Sequence, residues 1–95
     1  MQMNRHGKLA REYWETYRPQ ALAELGSPQE QTEYFYVLGM RVAEEIGQTA
    51  DTMLLKYPAD QRAQYRPAVR AQAQELAYAE RIYLPKEPGT ESREM

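Results

Sequence analysis

The sequence predicts an all-α fold: a small three-helix bundle with a long central helix and a short connecting helix. Three observations carry this expectation. Ser27-Pro28-Gln29-Glu30 reads as a helix start, a long amphipathic run follows it without a break, and prolines 19, 58 and 85 cut the rest of the chain into helix-length pieces. Serine accepts a hydrogen bond from an orphan backbone amide, proline fits the first helical position, and a glutamate three residues after the cap reaches back to the cap's own amide.

The first helix is expected from about Arg5 to Tyr17. At about 100° per residue, Leu9, Tyr13 and Tyr17 share a face with His6 and Ala10, with Trp14 at its edge. The opposite face is charged, and Lys8–Glu12 and Arg11–Glu15 are pairs at the helical i, i+4 spacing. Pro19 ends this helix, because the residue before proline avoids the helical region, and it can begin the next. Gln20 to Leu25 then reads as the short connecting helix, closed by Gly26 in the left-handed position that suits glycine.

The long helix spans about residues 28–56, roughly 40 Å at 1.5 Å per residue. Its apolar arc is Phe35, Leu38, Val42, Ile46 and Met53, with Thr49 in line. Gly39, Ala43 and Gly47 lie along one ridge. Glycine inside a helix costs about 1 kcal/mol relative to alanine, so two of them point to close backbone approach or a local bend. A helix this long outruns what a small domain covers evenly, so it either bends near Gly39 or Gly47 or offers its exposed end to a dimer.

Tyr57-Pro58-Ala59-Asp60 is a turn. The last helix starts at Asp60 or at Pro67, with an expected core stripe of Tyr65, Val69, Ala73, Leu76 and Tyr83. Ala71, Tyr78 and Ile82 form a second apolar strip on what reads as its far side. Pro85 ends the helix. Residues 1–85 are thus expected to form one helical domain, and residues 86–95, with Pro88, Gly89 and charged side chains, a flexible tail.

Composition excludes several classes of function. With no cysteine, disulfides, thiolate metal sites and cysteine nucleophiles are ruled out. No apolar run approaches the roughly 18 residues of a membrane span, and the first residues lack the apolar core of a signal peptide. The expectation is a cytoplasmic protein with no membrane association. Charge runs in blocks: residues 1–18 carry +2, residues 19–55 carry −5, residues 56–86 carry +3 and the remainder −2. Alternating blocks suit helices packed antiparallel and differ from the uniformly basic footprint of most nucleic-acid binders. At 95 residues, a chain buries only about two-thirds of its unfolded surface, so a partner or a second copy would add useful core.

No motif supplies chemistry. His6 has no second histidine or cysteine to complete a metal site. Glu44 and Glu45 are adjacent on a helix and point about 100° apart, so they read as a solvated acidic face. Gly39 and Gly47 lie within a helix and form no phosphate loop. The expectation is therefore a chain that is not an enzyme, with no cofactor, metal or small-molecule substrate. Two surface features invite binding. Val37, Met40 and Glu44 on the long helix, with Tyr78 and Ile82 on the last, project from the expected cores and suggest a protein-binding surface. Arg62, Arg66, Arg70 and Arg81 form the alternative, a strip that either meets nucleic-acid phosphates or pairs with the acidic long helix.

The segment Gly7-Lys8-Leu9-Ala10-Arg11-Glu12-Tyr13, followed by Tyr17-Arg18-Pro19, resembles TnpV-type proteins, small proteins of transposons and conjugative elements. The leucine-containing segment at Leu22 and Leu25, the long helix and the closing Ile82-Tyr83-Leu84-Pro85 are similar as well. The compact match covers residues 7–19; residues 26–34 depart from the more apolar stretch of that family. The resemblance implies a mobile-element accessory or regulatory protein and carries over no catalytic residue. The functional expectation is non-catalytic binding to a protein partner or to a second copy. Inhibition of a host defence nuclease, an anti-CRISPR-like role, is one specific form of it. Nucleic-acid binding through the arginine strip is the alternative.

Overall fold

The computed structural model describes residues 2–95. Four α-helices are seen among them: α1 (Arg5–Tyr17), α2 (Pro19–Glu24), α3 (Pro28–Leu54) and α4 (Arg62–Arg81), the last preceded by a 3-10 turn at Ala59–Gln61. No strand occurs among the described residues. The arrangement is the expected all-α one, with α3 as the spine, α2 as the short connector, and α1 and α4 each laid against α3.

The start of α3 is the expected capping box. Glu30 N–H donates to Ser27 Oγ at 3.2 Å, and Ser27 N–H donates to Glu30 Oε1 at 3.1 Å. Gly26 before it sits at φ +115°, in the left-handed region. Phe35, Val42 and Ile46 are buried as expected, while Ala50 and Leu54 take the places expected of Thr49 and Met53. Steps of four residues drift by about 40° around a helix, and the inward line Val42–Ile46–Ala50–Leu54 follows that drift across α4.

Gly39 and Gly47 behave differently. Asn4 caps α1 by accepting from Gly7 N–H at 2.9 Å, and its Nδ2 donates to the Gly39 carbonyl at 2.9 Å. A Cβ on Gly39 would collide with Asn4 Oδ1 and lie 2.8 Å from Gly7 N. The two helices therefore touch backbone to backbone at Gly7 and Gly39. A Cβ on Gly47 would meet nothing within 4 Å, so no close approach explains that glycine.

Two hydrophobic clusters result. Ala10, Tyr13, Trp14, Tyr17, Phe35 and Ile82 join α1, α3 and the end of α4. Val42, Ile46, Ala50, Leu54, Val69, Ala73 and Ala77 zip α3 to α4. Leu38 and Tyr78 touch both. Beyond the start of α1, α3 and α4 continue as a pair without a third helix. The chain spans 49 × 32 × 16 Å with a radius of gyration of 15.9 Å, against about 12 Å for a compact chain of this length. One flat layer of helices leaves a whole side of α3 uncovered.

α4 begins at Arg62, between the two expected starts, and carries Pro67 in its interior. Its buried positions are Val69, Ala73 and Ala77, whereas Leu76 and Tyr83 of the expected stripe are exposed. The strip that read as the far side is the one that meets α1: Ile82 is wholly buried and Tyr78 packs into both clusters. Periodicity fixes the angle between two apolar strips, not which of them gains a neighbour. α4 has two neighbours, α3 along its length and α1 near its end, so both Ala77 and Ile82 turn inward.

Residues 86–95, expected as a flexible tail, are laid against α1 and α2. Tyr17 O accepts from Glu87 N–H at 2.8 Å and from Thr90 Oγ1 at 3.1 Å. Thr90 is only 3% exposed. Tyr17 OH in turn donates to Arg93 O at 2.7 Å. The Glu87 carboxylate accepts from Gln20 and Ala21 N–H at 3.0 and 2.9 Å, which satisfies the free amides at the start of α2.

The amide of Ala21, foremost, holds the Glu87 carboxyl below its ordinary pKa of 4.5 despite the opposing effect of partial burial. A depressed carboxylate pKa gives stability that is present above the unfolded value and lost as pH falls through the folded one. Acidification below pH 4.5 is therefore expected to release this strap before the helices melt. Hydrogen-exchange protection factors at the Thr90 and Ala21 amides, taken relative to the intrinsic exchange rate at each pH, check it: both should fall in acid, and Glu87→Gln should bring much of that loss of protection to neutral pH.

Candidate protein-binding surface

The uncovered side of α3 follows from its register. Phe35, Val42 and Ile46 point to the core, so residues half a turn away point out. Val37, Met40, Arg41, Glu44, Gln48, Asp51 and Leu55 occupy that side and are all exposed. Val37 is 46% and Met40 54% exposed, large apolar side chains in solvent on a well-formed helix. Glu30, Glu33, Glu44 and Asp51 against Arg41 make the side acidic.

A groove of about 480 Å³ adjoins Val37, lined by Leu25, Tyr34, Val37 and Leu38, with Glu30 and Glu33 and then Arg41 and Arg81 along its charged rim. α2 supplies one wall and the end of α4 the other. Tyr34 is held by packing rather than by hydrogen bonds, its ring centroid 5.5 Å from Trp14 and 5.1 Å from Phe35. An apolar floor with a charged rim is the anatomy of a protein-docking patch.

The residues expected to form the surface divide. Val37, Met40 and Glu44 lie together on the outward side of α3. Tyr78 and Ile82 do not join them: Ile82 is core, and the Tyr78 hydroxyl is 2.6 Å from His6 Nδ1 inside the α1–α4 contact. Their place is taken by Leu25, Tyr34 and Leu38. The signal for Tyr34 was available, since it neighbours Phe35 and faces away from the arc. The part played by Leu25 depends on how α2 folds back, which spacing does not reveal.

The arginine strip divides as well. Arg62 Nε donates to the carbonyls of Leu54 and Tyr57 at 3.1 and 3.0 Å, closing the C-terminal end of α3. Arg81 Nε meets Glu45 Oε2 at 3.0 Å, a bridge from α4 to α3. These two hold structure together. Arg66 and Arg70 stay exposed and make no ion pair among the described residues.

No helix among the described residues is long and apolar enough to cross a membrane, and no group of three or more histidines and acids there is placed to hold a metal ion. Comparison with protein-family models, curated proteins and solved structures finds no match to this chain.

Proposed function

We propose that this chain is a non-catalytic accessory or regulatory protein that acts by binding another protein through the outward side of α3. The observation that carries the reading is the pairing of exposed Val37 and Met40 with the apolar groove beside them, on the side of the spine that no other helix covers. The acidic rim favours a partner surface with basic and apolar side chains. The likeness of residues 7–19 to TnpV-type proteins supports a cytoplasmic, mobile-element setting. Small size and acidity fit inhibition of a host defence nuclease as one form of that role.

The nucleic-acid alternative is weaker by two arginines, because Arg62 and Arg81 are committed within the fold. A second copy of the chain is the other protein partner that this surface would accept.

Met40→Glu and Val37→Glu test the reading. Each places a charge in the apolar patch at an exposed position and leaves the two cores intact. A hot-spot contact is worth about 2 kcal/mol or more, so each is expected to weaken partner binding by tenfold or more with unchanged helicity. Isothermal titration against the partner, with circular dichroism as control, reads both. Affinity unchanged by either variant would remove this surface from the account.

A further inference from the structure

A notch of about 250 Å³ opens where the start of α1 meets α3 and α4, lined by Arg5, His6, Ala43, Ile46, Arg70 and Gln74. Its charged side chains are both cationic, in a chain of net charge −2. The ion pairs among the described residues are Arg11–Glu15 and Arg81–Glu45, so neither Arg5 nor Arg70 has a carboxylate partner. Arg5 Nη2 donates to Gln74 Oε1 at 3.2 Å, across from α1 to α4. That bond holds the guanidinium at the notch and leaves most of its N–H groups for another acceptor.

His6 is the unexplained group. It is 7% exposed, and its Nδ1 lies 2.6 Å from the Tyr78 hydroxyl. Burial, with a smaller effect from Arg5, lowers the imidazole pKa, and burial raises that of the phenol. Both shifts favour the neutral forms, and which of the two groups donates in this contact is set by the imidazole tautomer. In the tautomer that accepts at Nδ1 from the phenol, the ring proton sits on Nε2 and can be donated to a ligand. A nine-tenths-buried imidazole thus forms part of the wall of a cationic notch. The first turn of α1 also lacks any acidic residue. Arg5, His6 and Lys8 stand there instead, at the helix end where positive side chains oppose the dipole.

We propose that this notch binds a tetrahedral oxyanion of the phosphate class, with Arg5 and His6 donating from α1 and Arg70 from α4. Donors arriving from two helices suit a tetrahedral dianion better than a planar carboxylate, and arginine pairs with phosphate through charge-assisted bonds. No carboxylate lines the notch to repel it. Neither Val37 nor Met40 lines the notch, so the proposal does not depend on the partner-binding reading. The phosphate belongs either to the free ion or to a small phosphate monoester.

His6 is the single histidine, so its imidazole resonances report on the site alone. The full chain is titrated at pH 7 with inorganic phosphate, a nucleoside 5′-monophosphate, acetate and chloride at matched ionic strength. Phosphate is expected to shift His6 saturably and acetate to bind at least tenfold more weakly. Arg70→Gln, exposed and outside both cores, should weaken phosphate binding about tenfold with helicity unchanged, and Arg5→Gln should do likewise. Bound anion should raise the His6 pKa. Arg5 and Tyr78 act on the ring directly, and the notch beside it is lined by Arg70 and Gln74 from α4 and Ala43 and Ile46 from α3, so no carboxylate of the lining competes for that effect. Tighter binding of the nucleotide assigns the site to phosphate esters, and equal binding assigns it to the free ion. A shift that does not saturate, that chloride or acetate reproduces, or that survives both substitutions overturns the proposal.

Discussion

Ile82→Ala is expected to cost about 2–5 kcal/mol, the range for truncating a fully buried aliphatic side chain in a core that relaxes only partly. Ile82 is wholly buried among Ala10, Tyr13, Trp14 and Phe35, in the cluster that ties the end of α4 to α1 and α3. In a domain of this size each kcal/mol moves the melting temperature by about 4–8 °C, so the transition should fall by about 8 °C or more. Val37→Ala is the matched control. It removes apolar surface from an exposed position and should stay within about 0.5 kcal/mol. Thermal unfolding of the two variants separates the core from the surface directly, and equal, small losses would mean that Ile82 is not where the structure places it.

The glycines of α3 provide the second large effect, through a difference in sign. Gly47→Ala should stabilise the chain by about 0.5–1 kcal/mol, since alanine is the better helix residue and its Cβ enters open space. Gly39→Ala carries the same propensity gain, yet its Cβ would strike Asn4 Oδ1 and sit 2.8 Å from Gly7 N. Relief requires α1 to move off α3 or Asn4 to abandon its cap. Overpacking costs about 1–3 kcal/mol, and a lost cap about 1 kcal/mol, so a net loss of about 1–3 kcal/mol is expected. Chemical denaturation of both variants reads the two signs. Stabilisation of both would mean that α1 and α3 do not meet at these glycines.

What the sequence made legible was local. The capping box at Ser27 and Glu30, the left-handed Gly26, and the stops at Pro19 and Pro58 each involve residues a few positions apart, and each stands as expected. Gly39 and Gly47 looked alike in sequence, because nothing nearby in the chain records that Asn4 and Gly7 lie against one and nothing lies against the other. In the sequence alone Tyr78 and Ile82 read as surface because α4 shows two apolar strips. Only the position of α1, some seventy residues earlier in the chain, shows that the second strip is covered. The strap after Pro85 was equally hidden. Its composition is that of a tail, but Glu87 and Thr90 find their partners at the α1–α2 junction. Of the candidate surface, Val37, Met40 and Glu44 were legible from the helical period, whereas the groove needed α2 and α4 in place.

Site-specific photo-crosslinking in the native cell is the most direct test that the outward side of α3 meets a protein. A photoreactive residue replaces Met40 in one variant and Gln72 in another, the latter being exposed on α4 away from the groove. The account predicts one discrete protein adduct at position 40, lost when Val37→Glu is added, and none at position 72. An adduct of twice the chain's mass would identify the partner as a second copy. No adduct at position 40, or the same adducts at both positions, would contradict a docking surface centred on Val37 and Met40.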